Sequence, residues 1–544
     1  MSLSNPEHRA TRLKLPLKAS VIAAALALSG CNTTLHIMDS ETIDSRASVD
    51  FEQLFANVPA PGEIMSLAEA VARAIKYNLD HRVAMMNSVV AQRHLDLSDY
   101  NKLPRLAASA GYTARDKVHA SSSFNLATGV PNFGASTSQD KSIVNADLEL
   151  SWNTLDFGIA WIESRQAGNA ALIAVEQQRR ITANIVRDVR DAYWRLVSAE
   201  RLAPQLAVLK KDIQQGLNDS YAAQRAKLKP LEECLEEQRT LLDLQRQVLQ
   251  LQRGIAESRS VLASLIGLPP GSWFTVDVEG ELFTSYNADA ALDRNALQQI
   301  ALRHRPELIE EDYQSRIAAD EVNKARIRWI PGIELFTGTH YSDNSYLLHS
   351  AWAASGVRLT WNLLSVFSAP AATRLAKSKQ ELGELRRLAL SMAVLTQVDV
   401  ALQRLQQSKE DYRLASQMTQ VDRSTIEQYE RRASASRIDR QTVLQARARD
   451  VVSRLRYTIA YGEWQSATAS VYSSIGYEPA VIFDHDAPLE QIIAAVEDHL
   501  ENSTYQGPRG LYEPEESRRR SRQASDYDAH IGDTDALSTP GDAR

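Results

Sequence analysis

The fold of this chain is decided by residues 144–153, VNADLELSWN, in which apolar and polar side chains alternate strictly. Val144, Leu148 and Trp152 are among the apolar positions, and the residues between successive apolar positions are Asn, Asp, Glu and Ser. This period of two is typical of a β-strand with one apolar and one polar face. The shorter segment 357–362, VRLTWN, alternates in the same way and ends in the same Trp-Asn pair.

The two segments belong to an internal duplication of the chain. Residues 67–112 align with 294–339 at a constant offset of 227, and residues 152–267 align with 361–476 at an offset of 209. The first copy therefore has 18 extra residues, which fall in a Ser-, Gly- and Asn-rich stretch at 121–136 that we predict to be a loop. Matching positions include Ala74 and Ala301, Pro104 and Pro331, Gly111 and Gly338, Ala192 and Ala401, and Ile266-Gly267 and Ile475-Gly476.

Each copy begins with a helical pattern that runs into a pair of strands. In the first copy, apolar residues at helical spacing predict a helix over 67–101, with Ser66 as its N-cap and Glu69 three residues later. Pro104 ends that helix, because a proline disfavours helical backbone at the residue before it. Two strand candidates follow in each copy.

A long helical stretch follows the second strand of each copy, at 159–226 and 368–434, with a kink expected at Pro204. Shorter helices then run to Gly267 and Gly476, and each glycine suits a helix C-cap. At 1.5 Å per residue the long helix would be about 100 Å and two short ones about 50 Å each. Each copy can therefore form an antiparallel coiled coil about 100 Å long.

The N-terminus has the pattern of an export signal. Basic residues between 8 and 18 precede an apolar run at 19–28, which is too short to span a bilayer. The run ends in Leu28-Ser29-Gly30-Cys31, which resembles a bacterial lipobox, so we predict that Cys31 is lipidated; a plain signal peptide is the alternative. Cys234 is the only other cysteine, and the mature chain then has no pair to form an internal disulfide.

Four strands per chain cannot close a barrel, and an open sheet leaves unpaired edges that cannot exist in lipid. Strands of about 9–12 residues have the length of tilted transmembrane strands. We therefore predict that several chains share one barrel; a half-buried sheet packed on helices is the alternative. Aromatic residues that favour the membrane interface lie near the strand ends, at Tyr112, Trp152, Tyr341 and Trp361.

These features together resemble the TolC-like outer-membrane efflux factor family over residues 66 to 477. The resemblance is carried by Ser66-Leu67-Ala68-Glu69-Ala70, by the Leu103-Pro104 and Ile330-Pro331 helix ends, by Trp152-Asn153 and Trp361-Asn362, and by the duplicated order helix–strand–strand–long helix–short helix. It implies a mainly α protein with a β-barrel part, which forms a trimeric 12-stranded transmembrane barrel that continues into a coiled-coil periplasmic tunnel.

The resemblance also implies partners and a location. The chain would be a homotrimer, lipid-anchored in the outer membrane of a Gram-negative bacterium and extending into the periplasm. It would dock a periplasmic adaptor protein and pass solutes from an inner-membrane proton-driven or ABC pump. The docking site would be the turns at the periplasmic tip of the coiled coils, which carry Tyr221, Arg225 and Lys227 in the first copy and Tyr429, Arg431, Arg432, Arg437 and Asp439 in the second. Exposed charges at a coiled-coil turn can equally be merely solvated.

The predicted organisation has seven parts. They are a lipoprotein signal peptide at 1–30, an extended segment at 31–65, a first repeat at 66–269 with strands at 104–114 and 142–153, an equatorial linker at 270–291, a second repeat at 292–478 with strands at 331–342 and 353–363, a C-terminal equatorial segment at 479–499, and a disordered tail at 500–544.

Composition and motifs argue against other functions. The net charge is −7, so there is no basic excess to favour nucleic acid. The 11 histidines have no metal-binding spacing, and no phosphate-binding loop is present, so we expect no catalysis, no metal and no cofactor. The alternative from another class is a lipid-anchored coiled-coil tether without a pore.

Overall fold

The structure is a computed structural model that describes residues 37–201, 203–277, 293–434, 440–477 and 487–506. Most of these residues are helical. The chain divides into two compact units, Met1–Asn57 and Val58–Arg544. The predicted lipidation site, Cys31, lies outside the described residues.

The first unit contains helix α1, Ser40–Phe55, where the sequence predicted an extended segment. Asp39 caps the helix by accepting a hydrogen bond of 2.9 Å from the backbone N–H of Thr42. None of its residues is buried, and Phe51 contacts Phe55 edge to face. The expectation of extended backbone is wrong over this range, where Asp39 provides an N-cap that satisfies the N–H of Thr42 at the start of the helix.

The second unit contains the two copies of the repeat. Strand β1 (Ile64–Met65) precedes the first copy. That copy has helices α2 (Leu67–Tyr77) and α3 (Leu79–Tyr100), strands β2 (Arg105–Ala114), β3 (Ser121–Asn125), β4 (Val130–Ser136) and β5 (Ser142–Asn153), and helices α4 (Thr154–Glu200), α5 (Ala203–Arg225) and α6 (Leu231–Leu265). Strand β6 (Thr275–Val276) lies in the linker. The second copy has helices α7 (Arg294–His304) and α8 (Pro306–Ile327), strands β7 (Gly332–Ser342) and β8 (Ala351–Thr360), and helices α9 (Ser365–Ser434) and α10 (Arg440–Ser474), and helix α11 (Leu489–Gln506) follows in the C-terminal segment.

Two expectations about local structure need correction. The helix predicted over 67–101 is interrupted at Asn78, whose extended backbone ends α2 and whose side chain caps α3. The stretch at 121–136 is not only a loop, since β3 and β4 pair there as an antiparallel hairpin with a turn at Gly129, where φ is +67°. Serine, asparagine and glycine hide the alternation that would have indicated strands.

The helix lengths agree with the predicted coiled-coil geometry. Helix α9 runs for 70 residues and packs along both α10 and α8, so one long helix faces shorter helices of the same copy. In the first copy the long stretch divides into α4 and α5 where Pro204 enters, and α5 packs on α6. Leu209, Ile213 and Leu241 pack against Leu444 and Val451 of α10, which joins the two copies.

The main core lies where the linker and the C-terminal segment meet the helices. Strands β1 and β6 pair in parallel next to α2, and Tyr193 of α4 donates a hydrogen bond of 3.2 Å to the carbonyl of Met65. Ile492 and Val496 of α11 are buried in the same cluster. Helix α11 continues to Gln506, beyond residue 500, where the sequence predicted a disordered tail to begin.

Gly267 and Gly476 make the same contact in the two copies. Each follows the short helix in the left-handed region, with φ of +80° and +75°, as the C-cap prediction requires. A Cβ at Gly476 would lie 2.6 Å from the carbonyl oxygen of His304, and one at Gly267 would lie 2.7 Å from Cβ of Tyr77. His304 and Tyr77 occupy equivalent positions of the duplication, so the duplication is preserved in packing as well as in sequence.

We expect Gly476→Ala to lower the free energy of unfolding by about 2 kcal/mol, because alanine would meet both an unfavourable φ and a backbone oxygen that cannot move aside. The control is Gly383→Ala on α9, where nothing lies within 4 Å of the added methyl group. Alanine favours the helix there and should be neutral or stabilising. Urea denaturation followed by circular dichroism measures both, and equal stability of the two variants would contradict the role of Gly476.

Within the described part of the chain, one helix, α9, has a stretch long and apolar enough to cross a membrane. The same helix places Val394 and Val398 in a buried cluster with Leu297 and Ile475. Only 17% of the apolar stretch itself is buried, and length and composition alone are weak support for a spanning helix.

Candidate functional site

A four-stranded antiparallel sheet in the order β2-β5-β7-β8 combines one strand pair from each copy. Leu106 pairs with Leu150, Leu148 with Thr339, and Trp152 with Leu335, so the apolar positions of neighbouring strands share one face. Leu148 is 47% exposed on this face, and Leu106, Leu335 and Val357 are exposed beside it. The alternation read from residues 144–153 thus produces an uncovered apolar surface.

The opposite face of the sheet is polar and internally paired. Asp147 lies 2.7 Å from Nδ1 of His340 and accepts a hydrogen bond of 3.2 Å from Ser109. Arg358 donates to Glu334 at 2.9 Å. One face therefore carries hydrogen-bonding and charged groups while the other is suited to hydrocarbon, as in the walls of transmembrane barrels.

Among the described strands, β2 and β8 each pair on one side only. The ladders β2–β5, β5–β7 and β7–β8 extend over nearly the whole strand lengths, so both outer edges present long rows of unpaired backbone groups. Strands with such edges pair with further strands when they are not protected.

The four predicted interface aromatics divide between the two ends of the sheet. Tyr112, opposite Val144, and Tyr341, opposite Ala146, lie near one end. Trp152 lies near the other end, and Trp361 follows the last residue of β8 there, which ends at Thr360 rather than at the predicted 363. Along β5, positions 144 and 152 are separated by roughly 26 Å at 3.3 Å per residue. In a membrane barrel with strands tilted by about 40°, that length spans roughly 20 Å of the about 25 Å apolar band.

The first helix tip is the turn between α5 and α6, at 226–230. Tyr221, Arg225 and Lys227 are all exposed there, so the structure leaves these predicted docking residues open to solvent. Lys227 adopts a φ of +53°, and the N–H of Leu228 donates to the carbonyl of Ala223 at 3.0 Å, which closes the end of α5. A lysine thus occupies a left-handed position of the kind that glycine usually fills.

Charges beside the first tip are paired. Lys229 contacts Glu237 and lies 3.1 Å from Glu233, and these two carboxylates, Glu237 foremost, raise the pKa of Lys229 above its ordinary value. Cys234, beside this tip, is fully buried, and its carbonyl accepts a hydrogen bond from Ser220. The free cations of this tip are therefore fewer than its sequence suggests.

The second tip lies between α9 and α10, where residues 435–439 are outside the described part of the chain. Arg431 and Arg432 are exposed, and Tyr429 is half-buried beside a shallow groove that Val421, Thr425 and Arg432 also line. Arg437 and Asp439 fall in the undescribed turn, so their predicted docking role stays a prediction.

Arg447 of α10 links the helix pair α9–α10 to helix α5 of the first copy. The sequence did not predict this link. The guanidinium of Arg447 donates to Asp212 of α5 at 2.9 Å and to Glu430 of α9 at 2.8 Å. Both carboxylates, Glu430 first, raise the pKa of Arg447. No sequence signal identifies this interaction, because Asp212 and Arg447 come from different copies and meet only in the fold.

Comparison with known proteins shows that this fold is similar to the folds of outer-membrane channels. No protein-family model matches the chain. The curated "Probable outer membrane lipoprotein SilC" of Salmonella typhimurium is 24% identical over 310 residues. That alignment covers 56% of this chain and 60% of SilC, so the chain matches less than two thirds of its relative.

Solved structures match over more of the chain. CusC, described as forming a transmembrane channel, aligns with a TM-score of 0.60 at 18% identity over 78% of this chain and 96% of its own. The CmeC outer-membrane channel of Campylobacter jejuni has a TM-score of 0.59 at 14% identity over 79% and 89%. The outer-membrane channel OprN has a TM-score of 0.58 at 16% identity over 78% and 95%. At these identities the likeness shows the fold, which confirms the resemblance read from the sequence at that level.

Proposed function

We propose, from the fold that it shares with TolC-like outer-membrane channels, that this protein is the outer-membrane duct of an export system. The observation that carries the proposal is the β2-β5-β7-β8 sheet, which has one exposed apolar face, one polar face and two open edges. A soluble protein would cover such a face, whereas lipid requires it. The duct is passive, since a pore of this kind needs no catalytic group.

The protein functions as a homotrimer. Three chains with four strands each supply twelve strands. Pairing β2 of one chain with β8 of the next chain removes every open edge. Helices α4 and α9 follow β5 and β8 directly, so a closed barrel would continue into a tunnel of helices on one side of the membrane. That side is the periplasm, and the anchor is a lipid on Cys31 in the outer membrane.

The partners are a periplasmic adaptor and an inner-membrane pump, driven by protons or by ATP. The adaptor docks at the two helix tips, where Tyr221, Arg225, Lys227, Arg431 and Arg432 are the described candidates; Tyr429, Arg437 and Asp439 complete the proposed site. The basic character of both tips favours an acidic adaptor surface. The expectation that the chain uses no metal or cofactor and catalyses no reaction stays a prediction.

A pore-less lipid-anchored tether is the competing function, and the apolar sheet face disfavours it, because a tether needs no lipid-facing strands. The two are separated by purifying the full-length protein in detergent and measuring its mass and its conductance in planar bilayers. A trimer with discrete, wide conductance steps is the expected result. A monomer that leaves the bilayer silent would overturn the duct.

Lipidation is tested by Cys31→Ser. Because Cys31 provides the only thiol at the predicted lipobox, we expect the variant to lose all incorporation of labelled palmitate and to keep its signal peptide. Cys234→Ser, which changes the only other cysteine, should label normally. Palmitate label that persists in the Cys31 variant would show that the lipobox was misread.

A further inference from the structure

A row of aromatic side chains leads from the apolar face of the sheet onto α4. The ring of Trp152, which lies on that face, contacts the ring of Phe157 edge to face at 5.3 Å. Trp161 and Arg165 follow at intervals of four residues, and the guanidinium of Arg165 lies 4.8 Å from the Trp161 ring centroid. The row therefore continues on the same side of the molecule as the surface that the proposed function assigns to lipid.

This row borders a cleft of about 480 Å³ between α4 and the end of α8. Its apolar part consists of Phe157, Trp161, Ile162 and Ile327, and its cationic part is formed by Arg165 and Arg326. Trp161 is 50% exposed, so a large aromatic surface remains uncovered next to two arginines. Aromatic rings beside cationic groups are the composition of membrane-interface sites.

The two arginines differ in their partners. Arg165 is held by Asp320, which is almost fully buried, through a bond of 2.9 Å from Nε and a second one from Nη2. Arg326 is exposed and forms no ion pair with any residue of the described chain. Neighbouring Lys324 is paired with Glu321 at 2.7 Å and with Glu163 at 3.5 Å. An anion in the cleft can therefore pair with the guanidinium of Arg326, next to the guanidinium of Arg165, which Asp320 holds in place.

The end of the cleft nearest the sheet, at Phe157, lies at the depth of a lipid headgroup layer, and Trp161 lies at the outer border of that layer. Phe157 and Trp161 lie about 6 and 12 Å beyond the last strand residue, Asn153, at the helical rise of 1.5 Å per residue. On α8, Arg326 precedes the helix end by one residue, and β7 begins at Gly332. The headgroup layer lies directly outside the hydrocarbon core and is about 5–8 Å thick on each side.

We propose that this cleft binds an anionic phospholipid of the leaflet on the helical side of the barrel. The phosphate contacts Arg326 and the outer edge of Arg165 beside Trp161, and the upper acyl chain lies against Phe157. The inference rests on the proposed function, because only an outer-membrane position brings this level of the protein to a phospholipid leaflet. A neighbouring copy of the chain is the other possible occupant, and the test below distinguishes it.

The test uses the full-length protein in detergent, titrated with phosphatidylglycerol that carries brominated acyl chains, which quench nearby tryptophan fluorescence. We expect saturable quenching, of which Trp161→Phe removes a distinct part. Arg326→Gln should raise the half-saturating lipid concentration roughly fivefold, since one arginine at a membrane surface contributes about that factor. The matched control is Arg239→Gln on α6, an exposed arginine far along the chain from the cleft.

Brominated phosphatidylcholine should quench Trp161 less than phosphatidylglycerol does, and millimolar inorganic phosphate should not displace the lipid. Equal half-saturation in the wild type, Arg326→Gln and Arg239→Gln would overturn the site, as would displacement by phosphate alone. If Trp161→Phe left the quenching unchanged, a neighbouring chain would cover the cleft. That result would also overturn the proposal. Bilayer conductance measured on the same samples distinguishes failure of the lipid site from failure of the proposed function. A conducting trimer without the lipid effect overturns only the lipid site. Absence of conductance refutes the duct itself.

Discussion

Replacing Leu148 with arginine should prevent stable insertion of the protein, whereas the same change three residues earlier, Asn145→Arg, should be tolerated. Leu148 is in the middle of β5 on the exposed apolar face, and Asn145 lies on the polar face of the same strand. An arginine at the midplane of a membrane barrel costs about 2–4 kcal/mol. A trimer would carry that cost three times, about 6–12 kcal/mol, which is comparable to the usual stability margin of about 5–15 kcal/mol.

The measurement is the fraction of protein recovered as heat-resistant trimer from outer membranes, together with single-channel conductance. We expect Leu148→Arg to be degraded or to remain in aggregates. Asn145→Arg should form trimers whose conductance or ion selectivity is altered, because its side chain faces the lumen of the proposed barrel. If Leu148→Arg trimerised as well as the wild type, the apolar face would not be in contact with lipid and the sheet would belong to a soluble assembly.

This pair of variants was accessible from the sequence because a strand has a period of two. The alternation over 144–153 sets the two faces of β5 without any knowledge of its partners, and the alternation over 357–362 does the same for β8, the equivalent strand of the second copy. The capping glycines Gly267 and Gly476 were equally readable, since a glycine at the end of a helical pattern has a specific geometric reason.

Other features could not be read in that way, for physical reasons. Half of the residues in β3 and β4 are serine or asparagine, and neither strand alternates strictly between apolar and polar side chains, so the sequence shows no strand period there. Asn78 interrupts a continuous helical pattern because its side chain reaches the carbonyl of Leu265 at 3.1 Å, a contact that depends on the tertiary fold. The pairing of Arg447 with Asp212 and the cleft at Trp161 likewise depend on which helices become neighbours.

The exact strand ends and the docking residues at the helix tips also could not be predicted from the sequence. β8 stops at Thr360, which pairs with the first residue of β7, Gly332, because no partner backbone remains beyond that point. A sequence pattern that continues to residue 363 contains no information about where the neighbouring strand begins. Docking residues at the tips are similarly a matter of shape, and exposure of Tyr221 and Arg225 supports their role without defining the partner.

The largest loss of folding stability is expected from Arg73→Met on α2, in the main core next to strands β1 and β6. Arg73 is 2% exposed, yet its guanidinium is fully directed to protein acceptors: Nε donates to Glu69 at 2.8 Å, Nη1 to the carbonyl of Pro59 at 2.8 Å and Nη2 to that of Ala60 at 2.8 Å. It thereby fixes the segment that leads into β1 against α2. Methionine would leave Glu69 without its counter-charge in a largely buried position.

Breaking a buried ion pair by removing one partner costs about 3–5 kcal/mol, because the remaining charge stays desolvated. The matched control is Arg93→Met on α3, whose pair with Asp96 at 3.1 Å is exposed, and surface pairs contribute at most about 1 kcal/mol. Chemical denaturation of the two variants should therefore separate them by several kcal/mol. Because loss of Arg73 acts on folding and not on the sheet faces, any trimer that still assembles should conduct normally; a stable Arg73→Met protein would instead mean that the β1 segment is held by its apolar contacts alone.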